Sequence, residues 1–356
     1  FLYGMQMMSN GLEAAAGNKM KRILERLTAN RILGVLVGAG ITAVIQSSSA
    51  TTVMVVGFVN SGMMTLQQAV WIIMGANIGT TITGQLIALD IGAIAPLFAF
   101  IGVAMIVFLK KEKLHHFGKI IAGLGILFIG MDMMSAAMMP LRESEAFISL
   151  MTQFSNPVLG ILAGAIFTAI IQSSSASVGI LQALASSGVI GLPQAVYVLF
   201  GQNIGTCITA VLAAIGTSRN AKRTTIIHLS FNIIGTIVFT IICMVTPFVS
   251  LMEGLTPNVS AQIANTHTIF NITTTLLLLP FGTQLAKMAT KILPDRAEEK
   301  EDTMHLEYIQ PMIPIETRGE TKIGISAIAV NAIRNELTRM TKICLLYTSP
   351  SPRDCS

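Results

Sequence analysis

The sequence predicts an all-α polytopic membrane protein. Two inverted repeats each carry a re-entrant helical hairpin and a discontinuous helix, and the start of a cytoplasmic helical domain follows. Three observations carry this reading. Of 356 residues, 52% are apolar and 12% charged, with a mean hydropathy of +0.69, about half the charge of an ordinary soluble domain. Asp, Glu, Lys and Arg are absent from Ile32 to Leu89 and from Ala146 to Ser218, stretches of 58 and 73 residues. The chain also repeats itself at an offset of 126, with residues 33–84 and 159–210 identical at 26 of 52 positions without a gap. LGVLVGAGITAVIQSSSA lies over LGILAGAIFTAIIQSSSA, and GANIGTTIT over GQNIGTCIT. The same offset pairs Gly4-Met5 and Met7-Met8-Ser9 with Gly130-Met131 and Met133-Met134-Ser135.

Composition excludes other classes. Soluble enzyme folds are ruled out for most of the chain. The net charge is +5, but the basic residues form short clusters between apolar stretches instead of a stripe interleaved with aromatics. That pattern argues against nucleic acid and for the positive-inside rule. Cys207, Cys243, Cys344 and Cys355 form no CxxC pair and show no metal-site spacing, which excludes a disulfide scaffold or zinc site. Phe1 stands in mid-run of an apolar segment with neither an initiator Met nor a signal-peptide n-region before it, so a truncated N-terminus is expected. Residues 345–356, LLYTSPSPRDCS, match nothing upstream and read as a non-native tail.

Taken in order, the first element is the apolar segment before Asn10, and a loop to Arg31 carries Lys19, Lys21, Arg22, Arg26 and Arg31. The segment 32–64 is too long for one span and too short for two. As one helix it would run about 50 Å, and its halves about 20 Å each, against a hydrocarbon core of roughly 30 Å. A re-entrant hairpin with its tip at QSSS fits best. Segment 66–89 is long enough to cross, and GANIGTT at its centre predicts a discontinuous helix. With the Asn10–Arg31 loop placed in the cytoplasm, 66–89 goes out and 91–109 returns to Lys110, Lys111, Lys113 and Lys119. Helix 117–139 goes out to Arg142, Glu143 and Glu145, and the second hairpin, 158–191, opens outward. Segment 193–215 crosses in to Arg219, Lys222 and Arg223, and 225–249 and 263–285 cross out and back to Lys287 and Lys291. Every basic cluster lands inside, and the repeat-equivalent loops fall on opposite faces, so the two copies are inverted, a plan recurrent in alternating-access transporters.

Two constellations carry the chemistry. The first is QSSS, at Gln46, Ser47, Ser48 and Ser49 and again at Gln172, Ser173, Ser174 and Ser175. A helix start exposes unpaired N–H groups and a positive dipole end, which hold an anion without Arg or Lys. Serine hydroxyls donate to anion oxygens and accept from cations, and the Gln carbonyl oxygen is a hard ligand for a small cation. The plainer alternative, polar glue or a capped kink, is weakened by duplication at equivalent positions. The second constellation is Asn77, Gly79, Thr80, Thr81 and Thr83, matched by Asn203, Gly205, Thr206, Cys207 and Thr209. Thr206 and Thr209 share a helix face, and if it meets the hairpin, their hydroxyls, Gln172 and freed carbonyls make an oxygen cage for sodium. A third pattern, HxxFN at His228/Phe231/Asn232 and His267/Phe270/Asn271, reads as structural. Asp132 is the one carboxylate well inside an expected span, where the first copy has Gln6. Intramembrane acids are functional by default, though this one lies near the expected outer interface.

Two inverted repeats that each carry QSSS and, about thirty residues on, GxNIGTxxT resemble the sodium/phosphate cotransporter family, type II-like and in its bacterial form, over residues 1 to about 290. The resemblance implies one central site for inorganic phosphate, with Gln46, Ser47, Ser48, Ser49, Asn77, Thr80, Ser173, Ser174, Ser175 and Asn203 as substrate-binding positions. It carries the family's sodium pattern onto Gln172, Ser173, Ser175, Thr206 and Thr209. Cys207, standing where the first copy has Thr81, receives no ligand role. No catalytic residue and no cofactor other than sodium as coupling ion is implied. Localisation would be the bacterial inner membrane, with the lipid bilayer, phosphate and sodium as partners and the oligomeric state open.

The expected domains are a membrane unit over 1–290, with repeats at about 1–109 and 117–249 and a further helix at 263–285, then a linker over 291–320. Ile323, Val330, Ile333, Leu337 and Met340 then recur at helical steps. By resemblance, 321–344 looks like the start of a truncated PhoU-like helical domain. The competing readings are a sulfate or dicarboxylate transporter of the same architecture, with the absence of a core Arg disfavouring a carboxylate clamp, and a membrane-anchored phosphate-status regulator.

Overall fold

Many helices of this protein start at a polar side chain that satisfies one of the first backbone N–H groups. In the computed structural model, residues 1–16, 30–89, 91–295 and 338 are described, and every regular element among them is a helix or a short 3-10 turn. The chain divides into one unit over residues 1–294 and another over 295–356, and the fold set out below is that of the first. Lys19 to Arg26, the helix expected over 321–344 apart from Thr338, and the tail over 345–356 lie outside the described residues.

Helix α1 is Leu2–Ala16, so it runs on past Asn10, where a loop was expected. Asn30 caps α2, Arg31–Ile45, by accepting the Ile32 N–H, and Ser47 caps α3, Ser48–Asn60. A capping box between Thr65 and Gln68 starts α4, Leu66–Ile87. Helices α2 and α4 run parallel, with Gly34 against Trp71, Val35 against Gly75 and Ala39 against Gly79. The segment between them therefore returns along α3 to its starting level.

The expected break in the first copy is absent, since α4 is one continuous helix through Gly75 and Gly79. Those glycines serve close approach instead. A Cβ at Gly75 would stand 2.0 Å from the Val35 carbonyl oxygen, and one at Gly79 2.4 Å from that of Ala39. Since lipid tails are as apolar as the helices, contact of this kind, more than water exclusion, holds membrane helices together.

A 3-10 turn, Gly92–Ile94, leads to α5, Ala95–Phe108, shorter than the crossing expected over 91–109 and bounded by Pro96 and the Lys110–Lys113 turn. It packs antiparallel on α6, Glu112–Met138, with Gly102 against Ala122 and Gly125 against Ala95 and Ala99. Helix α1 also runs antiparallel to α6, Gly130 meeting Phe1 and Gly123 meeting Met8.

The second copy follows with α7, Glu145–Gln153, and α8, Pro157–Ile171, which meet at a 104° bend. Then come α9, Ser174–Ser186, and α10, Leu192–Gly205. Thr206 interrupts the latter before α11, Cys207–Ala213, so the second copy does have a discontinuity, one residue long. Gly201 and Gly205 lie against Ile161 and Ala165, as Gly75 and Gly79 lie against Val35 and Ala39.

Helices α12, Arg219–Val245, α13, Phe248–Leu255, α14, Val259–Leu278, and α15, Gly282–Ile292, complete the unit. Phe200, Phe239 and Phe270 form its aromatic centre, with Phe200 stacked on Phe270 at 4.9 Å between centroids. At one end Arg223 donates to the Leu293 carbonyl at 2.9 and 2.7 Å and Arg219 to that of Pro294, while the Ser218 N–H reaches Asn60 Oδ1 at 2.8 Å. Five helices among the described residues are long and apolar enough to cross a membrane: 66–87, 112–143, 192–213, 219–245 and 259–292.

Candidate functional site

The site grows from two identical turns. Gln46 and Gln172 end α2 and α8 in the left-handed region, both at φ 59°, and are the non-glycine residues with positive φ among those described. Each N–H donates 2.7 Å to a threonine carbonyl, of Thr42 and Thr168 respectively. The next residue returns to extended backbone and caps a new helix: Ser47 Oγ accepts the Ala50 N–H at 3.1 Å, and Ser173 Oγ accepts that of Ala176 at 3.3 Å. Both new helices start at one place, because buried Ser48 and Ser174 bring their Oγ atoms to 3.3 Å. Two positive helix ends thus share a point with several hydroxyls.

The hydrogen bonds around that point are unequal. Thr83 donates 2.7 Å to Gln46 Oε1 and lies 3.4 Å from Ser175 Oγ, which donates 3.4 Å to the Gln46 carbonyl. Gln46 Nε2 donates to the Ala43 carbonyl. Gln46, Thr83 and Ser175 are all buried, whereas Gln172 is exposed and Ser49 and Thr209 are half-buried. The Thr42 hydroxyl donates 3.0 Å to that of Thr51, while their repeat equivalents Thr168 and Ser177 keep buried hydroxyls without a partner among the described residues.

The remaining expected positions lie on α4 and α10–α11. Asn77 and Asn203 donate to the carbonyls of Ile73 and Leu199 at 2.9 and 3.1 Å, and Thr80 and Thr206 donate to those of Ala76 and Gln202, both at 2.9 Å. Thr209 donates 3.0 Å to the Thr206 carbonyl. Their hydroxyl protons are spent inside the helix, leaving oxygen lone pairs as acceptors. Of the five residues named for sodium, Ser175 is hydrogen-bonded to the first copy, and Thr206 and Thr209 to their own helix. The HxxFN asparagines donate to the carbonyls of their own histidines, at 3.1 Å for Asn232 and 2.9 Å for Asn271. Across helices, Asn232 reaches Cys207 Sγ at 3.3 Å and His267 lies 3.4 Å from Asn203 Oδ1. Asp132 is exposed, its carboxylate against Gly92.

A cavity of about 420 Å³ opens on both tips, lined by Gln46 and Ser47 of one copy, Ser173 of the other, and Gln6, Ser9 and Asn10 of α1. Sequence reasoning gave no role to those α1 residues, and it placed Thr83 in the second constellation without making it a ligand. The signal for Thr83 was present, since it is the 126-offset mate of Thr209. Donors and acceptors here are hydroxyls, carboxamides and backbone groups, and no group of three or more His, Cys, Asp or Glu fit for a metal exists among the described residues. An all-oxygen set suits a hard monovalent cation, and the helix ends suit an anion.

Comparison with known proteins agrees with this chemistry. A family model described as Na+/Pi-cotransporter matches residues 1–136 and 138–279. An uncharacterized protein of Bacillus subtilis, YqeW, is 33% identical over 299 residues, covering 83% of this chain and 95% of that protein. YjbB of Salmonella typhimurium, provisionally named an inorganic phosphate export protein, is 28% identical over 298 residues, which are 83% of this chain and 54% of YjbB. The human sodium-dependent phosphate transport protein 2B is 35% identical over 91 residues, 25% of this chain and 13% of that protein. No solved structure matches the sequence. With a family model spanning almost all of the helical unit, the chain belongs to the Na+/Pi-cotransporter family, a family of transporters and not of enzymes.

Proposed function

We propose that this protein moves inorganic phosphate together with sodium across the bacterial inner membrane by alternating access. The observation that carries the reading is the convergence of both QSSS tips on one point and one cavity, through the 3.3 Å Ser48–Ser174 approach and the joint lining by Gln46, Ser47 and Ser173. In this reading α2–α3 and α8–α9 are re-entrant hairpins. Support comes from helices too short to span and from the parallel course of α2 and α4. Inversion of the repeats is supported by α1 and its repeat mate, the later part of α6, running antiparallel. The unequal hydrogen bonding of the two tips supports a protein whose halves exchange roles between two facing states.

Gln46, Ser47, Ser48, Ser49, Asn77, Thr80, Ser173, Ser174, Ser175 and Asn203 are assigned to phosphate, and Gln172, Ser173, Ser175, Thr206 and Thr209 to sodium. No Lys, Arg or His lies in segments 32–64 or 158–191, so a buried phosphate depends on its accompanying cation for charge balance. Net direction follows the ion gradients, so the same site serves uptake or export. Labelled-phosphate flux in proteoliposomes, under sodium, lithium, potassium or proton gradients and with sulfate and succinate as competitors, tests the reading. Equal flux in sodium and in choline or potassium rejects sodium coupling, and competition by sulfate or succinate at phosphate-like concentrations rejects the anion.

A further inference from the structure

One wall of the shared cavity comes from outside the repeat motifs. Gln6 and Asn10 of α1 stand four residues apart and so share a helix face, with Ser9 beside them, and all three line the cavity that Ser47 and Ser173 line from the tips. Ser9 Oγ donates 2.5 Å to the Ile45 carbonyl, one of the last-turn carbonyls that lack a partner inside their own helix. That bond ties α1 to the first tip. Gln6 and Asn10 are exposed, and neither carboxamide has a hydrogen-bond partner among the described residues. On an apolar helix such groups are costly against lipid and stable only toward water or a ligand.

A carboxamide holds a donor and an acceptor together. Hydrogen phosphate matches that pair, with P–O⁻ oxygens that accept and a P–OH that donates. Sulfate at neutral pH has no proton and only accepts. The tip hydroxyls and backbone N–H groups serve either anion, so discrimination needs a fixed acceptor, and the free carboxamide oxygens of α1 supply one. We propose that Gln6 and Asn10 are specificity-determining residues of the anion site, their N–H groups donating to phosphate oxygens and a carboxamide oxygen accepting from P–OH, so that a protonated tetrahedral oxyanion is selected over sulfate. The inference rests on the phosphate-transport reading above.

The test compares wild type with Gln6→Met and Asn10→Leu in proteoliposomes, measuring phosphate KM, inhibition by sulfate and the sodium dependence of uptake. Each variant should raise the phosphate KM about tenfold, the usual effect of one lost hydrogen bond. Sulfate should compete better against the variants than against wild type, and the sodium concentration for half-maximal uptake should stay unchanged. Variants that transport with wild-type KM and wild-type rejection of sulfate overturn the inference alone. A wild type that moves no phosphate overturns the transport reading and this inference with it. A second arm guards against misfolding: Gln6→Cys and Asn10→Cys, with the native cysteines replaced, are labelled with a maleimide. Phosphate should slow labelling at both positions, and labelling rates that phosphate leaves unchanged overturn the proposal.

Discussion

Ser48 Oγ and Ser174 Oγ lie 3.3 Å apart, and each is the other's repeat equivalent at the offset of 126. A residue that touches its own counterpart sits where the two copies meet. Cysteines at both positions, in a background without the native ones, should join under mild oxidation, since a disulfide needs its Cβ atoms only about 4 Å apart. Trypsin cuts at exposed Lys110, Lys111 and Lys113 between them, so the bond shows as fragments that separate only after reduction. Free thiols at both positions after oxidation would count against the shared tip.

Thr83 donates 2.7 Å to the buried Gln46 Oε1, while its mate Thr209 bonds within its own helix. Thr83→Val should lower stability in detergent by about 1 to 3 kcal/mol, the penalty for a buried acceptor left unpaired, and Thr209→Val by less. Equal losses of melting temperature would show that the two halves are held alike.

The sodium assignment predicts that Thr206→Val and Thr209→Val each raise the sodium concentration for half-maximal transport roughly ten- to a hundredfold. Combined with Gln172→Ala, either change should cost less than the sum of the separate losses, because a broken cage cannot be broken twice. Strict additivity among well-expressed variants would assign these residues to different sites.

Gly75→Ala places a Cβ 2.0 Å from the Val35 carbonyl oxygen, whereas a Cβ at Gly57 meets nothing within 4 Å. The first should destabilise by about 1 to 3 kcal/mol or abolish expression through overpacking, and the second should be neutral or stabilising by up to about 1 kcal/mol. Melting curves in detergent separate the two, and similar values would refute the close-approach role.

Single cysteines at Ser144 and Ser218 should label from opposite faces of the membrane, Ser218 from the cytoplasm. Ser218 bonds Asn60, and its neighbours Arg219 and Arg223 bond the carbonyls of Pro294 and Leu293. Labelling of both from one side would sink the inverted arrangement.

Much of this architecture could be read from residues alone. The 126-residue offset and the length of 32–64 placed a reversal at QSSS, and the backbone does turn at Gln46 and Gln172. The reading of GANIGTT failed in the first copy because glycine signals both a broken helix and a close contact, and only the position of Val35 and Ala39 decides between them. The bend between α7 and α8 and the reach of α1 past Asn10 depend on neighbours that periodicity does not report. Gln6, Ser9 and Asn10 went without a role because their importance lies in what stands opposite, 36 residues away in the case of Ser9 and Ile45.

The left-handed turns at Gln46 and Gln172 have an energetic corollary. At φ 59° a residue with a Cβ stands roughly 1 to 2 kcal/mol above glycine. A more comfortable backbone is therefore one substitution away at both tips, and the protein forgoes it to keep a carboxamide there. Gln172, exposed and free of the Thr83 bond that anchors Gln46, is the cleaner place to see the trade between stability and function: Gln172→Gly should melt higher than wild type and transport nothing.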